Sequence, residues 1–210
     1  MKKYIVYFLG VMIMAFGVAL SSFHGLGVSP FDTLTFNVSK ITNIDLGIIM
    51  LIFNGVFLLV YFLINRNKDI YLSVIVIILF SFFVNLFVGL LSTYIYIPTL
   101  YVVVDGLVSR IFLFVLSFIF TSIGIAMVEL SNLSKTAYEC FNSVIYKKVF
   151  KKLSYGASRM IVDISVAVIS AVLGLAFIKS TGDAGLGTIF YMIFTGPFVQ
   201  LLMKIMKFCK

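Results

Sequence analysis

The chain has 210 residues, 62% of them hydrophobic and 11% charged, with a mean hydropathy of +1.17. Polar surface is too scarce to enclose a water-soluble core, so the solvent is lipid, and at about 20 residues per span the length excludes a sizeable soluble domain. The net charge of +8 does not point to nucleic acid, because the basic residues end apolar runs and form no stripe interleaved with aromatics.

The first apolar run, 4–22, follows Lys2 and Lys3. No small-x-small cleavage site follows it, so it reads as a span and not as a signal peptide. Ala15 and Ala19 give this span a small-residue face able to dock a partner or a neighbouring helix. His24, the sole histidine, has no second histidine or cysteine nearby and is a poor metal ligand. Ser29 and Pro30 then form an N-cap with proline at the first helical position. A short helix should run from there to about Lys40. Phe31, Leu34, Val38 and Ile41 give it an apolar stripe, with Asp32, Thr35, Asn37 and Ser39 on the polar side. It cannot span, so it either lies on the surface or dips in as a re-entrant half-helix. Spans follow at 46–64, carrying Asn54, and at 70–91, carrying Asn85.

A fourth span at 111–130 leads to a second short segment, capped near Ser134 or Thr136, with its stripe at Tyr138, Phe141 and Ile145. Glu139 sits in its first turn as Asp32 does in the other; each either offsets the helix dipole or serves a substrate or cation. The fifth span, 157–178, holds Asp163, the only acid well inside an apolar run, with Arg159 four residues earlier on the same face. The two form either a local ion pair or a functional pair. The sixth span, 187–206, carries Thr188, Thr195, Gln200 and the pair Gly196 and Pro197, which should kink or unwind it. Helix-to-helix hydrogen bonding accounts for Asn85, Gln200 and the threonines equally well. Cys140 and Cys209 are too few and too far apart for a metal cluster. With no nucleophile and base set and no phosphate loop, the residues point to no enzyme, no cofactor and no metal.

Sorted by this topology, Lys2, Lys3, Arg66, Lys68, Lys135, Lys147, Lys148, Lys151, Lys152, Arg159, Lys204, Lys207 and Lys210 fall on one side. Lys40, Arg110 and Lys179 fall on the other. The positive-inside rule then places both termini in the cytoplasm.

Residues 17–40 align without gaps onto 124–147, pairing Gly17 with Gly124, Ala19 with Ala126, Ser29 with Thr136, Phe31 with Tyr138, Asp32 with Glu139 and Lys40 with Lys147. After small loop insertions Asn54 meets Asp163, and Asn85 meets Gln200. The expected fold is therefore an all-α membrane domain over 1–210: six spans in two three-span repeats, about 1–92 and 108–210, each with a short helix after its first span. Three spans per half make the repeats inverted, an arrangement shared by many secondary transporters and equally an old way to build a helical bundle.

The run Gly27, Val28, Ser29, Pro30, Phe31, Asp32, with Gly187, Thr188 and the later Gly196, Pro197, Phe198, resembles the signature segments of the YczE/YitT-like family of bacterial integral membrane proteins. The resemblance spans nearly the whole chain. It implies a multi-pass protein of the bacterial plasma membrane, commonly described as a transporter of unassigned substrate. It also implies that Gly27, Ser29, Pro30, Asp32, Gly187, Gly196 and Pro197 belong to the family's shared framework. The leading expectation is a small secondary transporter or exporter of a small solute. Asp163 and Arg159 would be its substrate or proton groups, Asp32 and Glu139 would stand at its two gates, and a cavity would lie near the midplane. The other expectations are a substrate-binding subunit of a vitamin uptake system and a non-transporting membrane scaffold. The residues leave open a homo-oligomer or a partner subunit.

Overall fold

Without water, a backbone inside a bilayer must satisfy its own polar groups, and a helix does so within one segment. The computed structural model describes residues 2–65, 70–95, 106–131, 133, 136–152 and 155–208, and they contain helices and no strand. In order these are α1 (Lys2–Ser21), α2 (Pro30–Thr42), α3 (Leu46–Asn65), α4 (Ile70–Ile95), α5 (Leu107–Ser131), α6 (Ala137–Lys148), α7 (Tyr155–Leu173) and α8 (Leu186–Phe208). The end of α7 widens into a π-helical turn, Gly174–Ile178. Six helices, all but α2 and α6, are long and apolar enough to cross a membrane, over stretches of 19 to 25 residues. The expected spans agree with these to within a few residues. Arg66, Lys68, Ser134, Lys135, Cys209 and Lys210 lie outside the described residues.

Lipid tails are as apolar as leucine, so helices associate through close packing and not through exclusion of water. The most extensive contact, between α1 and α5, follows that rule. A Cβ on Gly17 would meet the Thr121 amide nitrogen at 2.5 Å, and one on Gly124 would meet the Met14 nitrogen at 2.5 Å and the Gly10 carbonyl at 2.7 Å. Ala15 and Ala19 are fully buried, so the small-residue face of the first span is used inside the bundle. Phe16 meets Phe87 and Phe120 edge-on at 5.3 and 5.2 Å, closing the seam toward α4.

The short helix α2 is buried through Asn37, polar positions included, which overturns a surface-lying helix. Its polar side chains are satisfied by protein: Ser29 accepts from the Asp32 amide at 3.3 Å, and Thr33 donates to the Ser29 carbonyl at 2.8 Å. Asn37 holds the turn beyond α7. Its amide nitrogen lies 2.9 Å from Ser170 Oγ, 3.1 Å from the Ser170 carbonyl and 3.2 Å from the Thr181 carbonyl, and its oxygen accepts from the Asp183 amide at 3.0 Å. Replacing Asn37 with alanine strands these groups, and a buried unsatisfied group costs about 1–3 kcal/mol. The expected result for Asn37→Ala is a clearly lowered melting temperature in detergent; an unchanged melt would contradict this anchoring role.

The loop before α2 is stitched to the start of α8, where the Gly187 amide donates to the Leu26 carbonyl at 2.8 Å. Gly27 has φ +108°, and a Cβ there would meet the Thr188 amide nitrogen at 2.8 Å, so glycine alone fits this crossing. The last helix is continuous through Pro197, which overturns an unwound segment at that point. The missing N–H of Pro197 frees the Ile193 carbonyl.

Candidate functional site

The first turns of the two short helices converge. Phe31 of α2 stacks on Tyr138 of α6, ring centroids 5.3 Å apart at 25°, and Phe57 of α3 touches both. Each helix opens on a hydroxyl cap: Ser29 accepts from the Asp32 amide, and Thr136 accepts from the Glu139 amide, both at 3.3 Å. These turns form part of the wall of a cavity of about 370 Å3, to which α1, α3, α4, α5, α7 and α8 also contribute. The positions of Asn54, Ser73, Asp163 and Gln200 in their helices set it between mid-depth and the face where α4 and α7 begin and α8 ends.

Asp32, Glu139, Asp163, Arg159, Asn54 and Gln200 all line this one cavity. Asp32 and Glu139 thus share a chamber instead of standing at opposite gates. Arg159 is more than a local partner of Asp163: its guanidinium lies 2.6 Å from Glu139 of α6 and 3.8 Å from Asp163 on its own helix. Tyr138 donates to the other Asp163 oxygen at 2.5 Å. The result is a chain of Glu139, Arg159, Asp163 and Tyr138 that ties α6 to α7. Opposite, Ser29 donates to Asp32 at 2.6 Å. Burial pushes the Asp32 carboxyl up to about 6, and the Ser29 hydroxyl offsets part of that rise.

Two expected site residues lie elsewhere. Asn85 accepts from the Gly47 amide at 2.7 Å, satisfying a free donor in the first turn of α3. Thr188 accepts from the Gly185 amide at 3.2 Å beside the Gly27 crossing. Neither lines the cavity. The residues quoted for the family resemblance divide likewise: Gly27 and Gly187 build the crossing, whereas Ser29, Pro30, Asp32, Gly196 and Pro197 border the chamber.

By spacing alone Tyr138 is only part of an apolar stripe, yet its hydroxyl is what distinguishes it from its counterpart Phe31. Tyr191, which no spacing in the sequence signals, also borders the cavity and lies 3.1 Å from Ser117 Oγ, itself 3.4 Å from His24 Nε2. The Leu26 amide donates to His24 Nδ1, so the neutral ring carries its proton on Nε2. Burial and the Arg110 guanidinium lower the His24 pKa from 6.5 to about 4. Between those values the unfolded chain binds more proton than the folded one, so this contribution to stability is complete above pH 6.5 and is lost as pH falls toward 4. The expected melting curve therefore drops across that window, and the drop shrinks in His24→Gln; an equal drop in both proteins would contradict the assignment.

The cavity opens along one seam. α3 packs extensively on α4, whereas α7 barely meets α8. The exposed lining residues are Met160 of α7 and Ile193, Pro197 and Gln200 of α8.

A model of the family of unknown function DUF6198 matches residues 1–204. The chain belongs to that family. It is 24% identical over 205 residues to the uncharacterized protein YyaS of Bacillus subtilis (strain 168), a match covering 98% of this chain and 94% of the relative. No solved structure matches it. In this DUF6198 chain, then, the lined cavity and its open seam are the features on which a functional reading rests.

Proposed function

We propose that this chain is a small secondary transporter or exporter, not an enzyme, that carries a small solute through the cavity at the junction of two inverted three-span halves. The observation that carries the reading is the convergence of two capped short-helix N-termini, one from each half, on a single chamber holding Asp32, Glu139, Arg159 and Asp163. Discontinuous helices whose ends meet at a repeat interface are the usual way such proteins form a solute site.

Several contacts support the repeat. Extended three residues toward the N-terminus, the alignment of Gly17 with Gly124 pairs Met14 with Thr121. The contact of Gly17 with Thr121 is then the mate of that between Gly124 and Met14, the reciprocity a two-fold axis imposes. Likewise α2 packs on α7 as α6 packs on α3. The closed α3–α4 seam beside the looser α7–α8 seam fits one state of an exchange in which the halves trade conformations. The positive-inside rule puts the termini, and hence the mouth, on the cytoplasmic side of a bacterial plasma membrane, in line with the resemblance to the YczE/YitT-like family.

Paired spin labels test the exchange. Labels at Ile161 and Leu201 report the open seam, and labels at their repeat mates Ile52 and Leu86 report the closed one; all four side chains are exposed. In lipid, each pair should show two distance populations. A single narrow distance for both pairs would mean a fixed bundle and would favour a scaffold.

A further inference from the structure

We propose that the solute taken by this cavity is an amphipathic organic cation, a protonated or quaternary amine on an apolar or aromatic body. This rests on the transport reading above and names the class of its solute.

Charge balance comes first. Three carboxyl groups line the chamber, Asp32, Glu139 and Asp163, against the single guanidinium of Arg159, a formal excess of two negative charges. Arg159 is taken up by Glu139 and Asp163, and Asp163 is further held by Tyr138. Asp32 has the Ser29 hydroxyl of its own turn and no ion pair among the described residues. A cation entering here meets an uncompensated carboxyl. An anion does not find the opposite, although two helix N-termini point inward, because Ser29 and Thr136 cap them and Asp32 and Glu139 occupy the first turns where an anion would dock.

The walls select the rest of the solute. Phe31, Phe80, Tyr138 and Tyr191 border the cavity, and aromatic faces attract ammonium groups, most strongly when water is excluded. Met14, Val76, Ile125 and Met192 add apolar wall beside a few hydroxyls and amides, and about 370 Å3 lies in the lower part of the range for small-molecule pockets. Through Met160, Ile193 and Pro197 the chamber reaches the exposed apolar surface. A body that partitions into lipid can therefore come in through the side.

Three probes of nearly one shape separate charge from shape: phenyltrimethylammonium, neutral tert-butylbenzene and anionic benzenesulfonate, offered to the full chain in lipid nanodiscs with binding read by equilibrium dialysis. The expected result is saturable binding of the cation, at least about tenfold tighter than the neutral probe, with no saturable binding of the anion. Asp32→Asn should weaken the cation about tenfold without changing tert-butylbenzene, and Asp32→Glu should restore it; a melting curve shows that each variant folds. Equal affinity for cation and neutral probe, or preference for benzenesulfonate, overturns the cation class while leaving a solute site in place. Binding of none of the three also overturns the class. The transport reading falls with it only if a cysteine at Asn54 cannot be labelled from water.

Discussion

Replacing Arg159 with leucine costs on the order of 3–5 kcal/mol, because one partner of a buried ion pair is removed and the other is left uncompensated. Here two carboxylates lose their countercharge: Glu139, 2.6 Å from the guanidinium, and Asp163, 3.8 Å away. The loss exceeds that of an ordinary surface ion pair, since both acidic side chains are only 9% exposed. Neutralising the acids as well, in the triple variant Arg159→Leu, Glu139→Gln, Asp163→Asn, should recover much of the melting temperature, because neither partner of the lost guanidinium then carries a charge. That recovery separates charge from packing. If Arg159→Leu melts with the unaltered protein, the three groups are solvated independently and do not join α6 to α7.

The second large effect lies in the α1–α5 crossing. A valine at Gly124 must place its Cβ where the Met14 nitrogen and the Gly10 carbonyl already stand, and backbone cannot swing aside as a side chain can. Overpacking of this kind costs about 1–3 kcal/mol or more, and here it separates the two helices with the most extensive contact. Gly17→Val should behave alike, since its Cβ would meet the Thr121 backbone. Gly55, Gly89 and Gly196 supply controls within the same chain: a Cβ at any of them meets nothing within 4 Å. Alanine at the first two, in α3 and α4, should be neutral or gain up to about 1 kcal/mol from helix propensity. Equal losses at Gly124 and Gly55 would show that the glycines matter only as helix formers, not as contact points.

The difference between those glycines was invisible in the sequence, where all of them are simply glycines in apolar runs. Spans were legible because their signal is one-dimensional: a run of 19 or more apolar residues has few alternatives. The first cap was legible for a similar reason, Ser29 with Pro30 being a local signal realised as a hydrogen bond from the Asp32 amide, whereas the second was narrowed only to Ser134 or Thr136, and it is Thr136 that accepts from Glu139. The short helices were less so. Periodicity gave α2 an apolar stripe and a polar face, which normally means water, yet Thr33, Thr35 and Asn37 face protein partners contributed by residues more than a hundred positions away or by the preceding turn. Asn85 and Gln200 looked equivalent by alignment, and only the fold distinguishes a helix-start tie from a chamber wall. Arg159 and Asp163 were found as an i, i+4 pair, but the closer partner, Glu139, sits on another helix and no spacing rule reaches it.

Side-resolved thiol labelling shows whether water and solute reach the junction of the two halves. Single cysteines at Asn54, Thr195 and Gln200, in a background lacking Cys140 and Cys209, would be exposed to a membrane-impermeant reagent from one face of sealed vesicles and then from the other. Labelling should be rapid at all three from the face that carries the chain termini, and slower at Asn54 from the opposite face as the halves exchange. Protection of all three from both faces would mean a dry, closed bundle and would contradict transport.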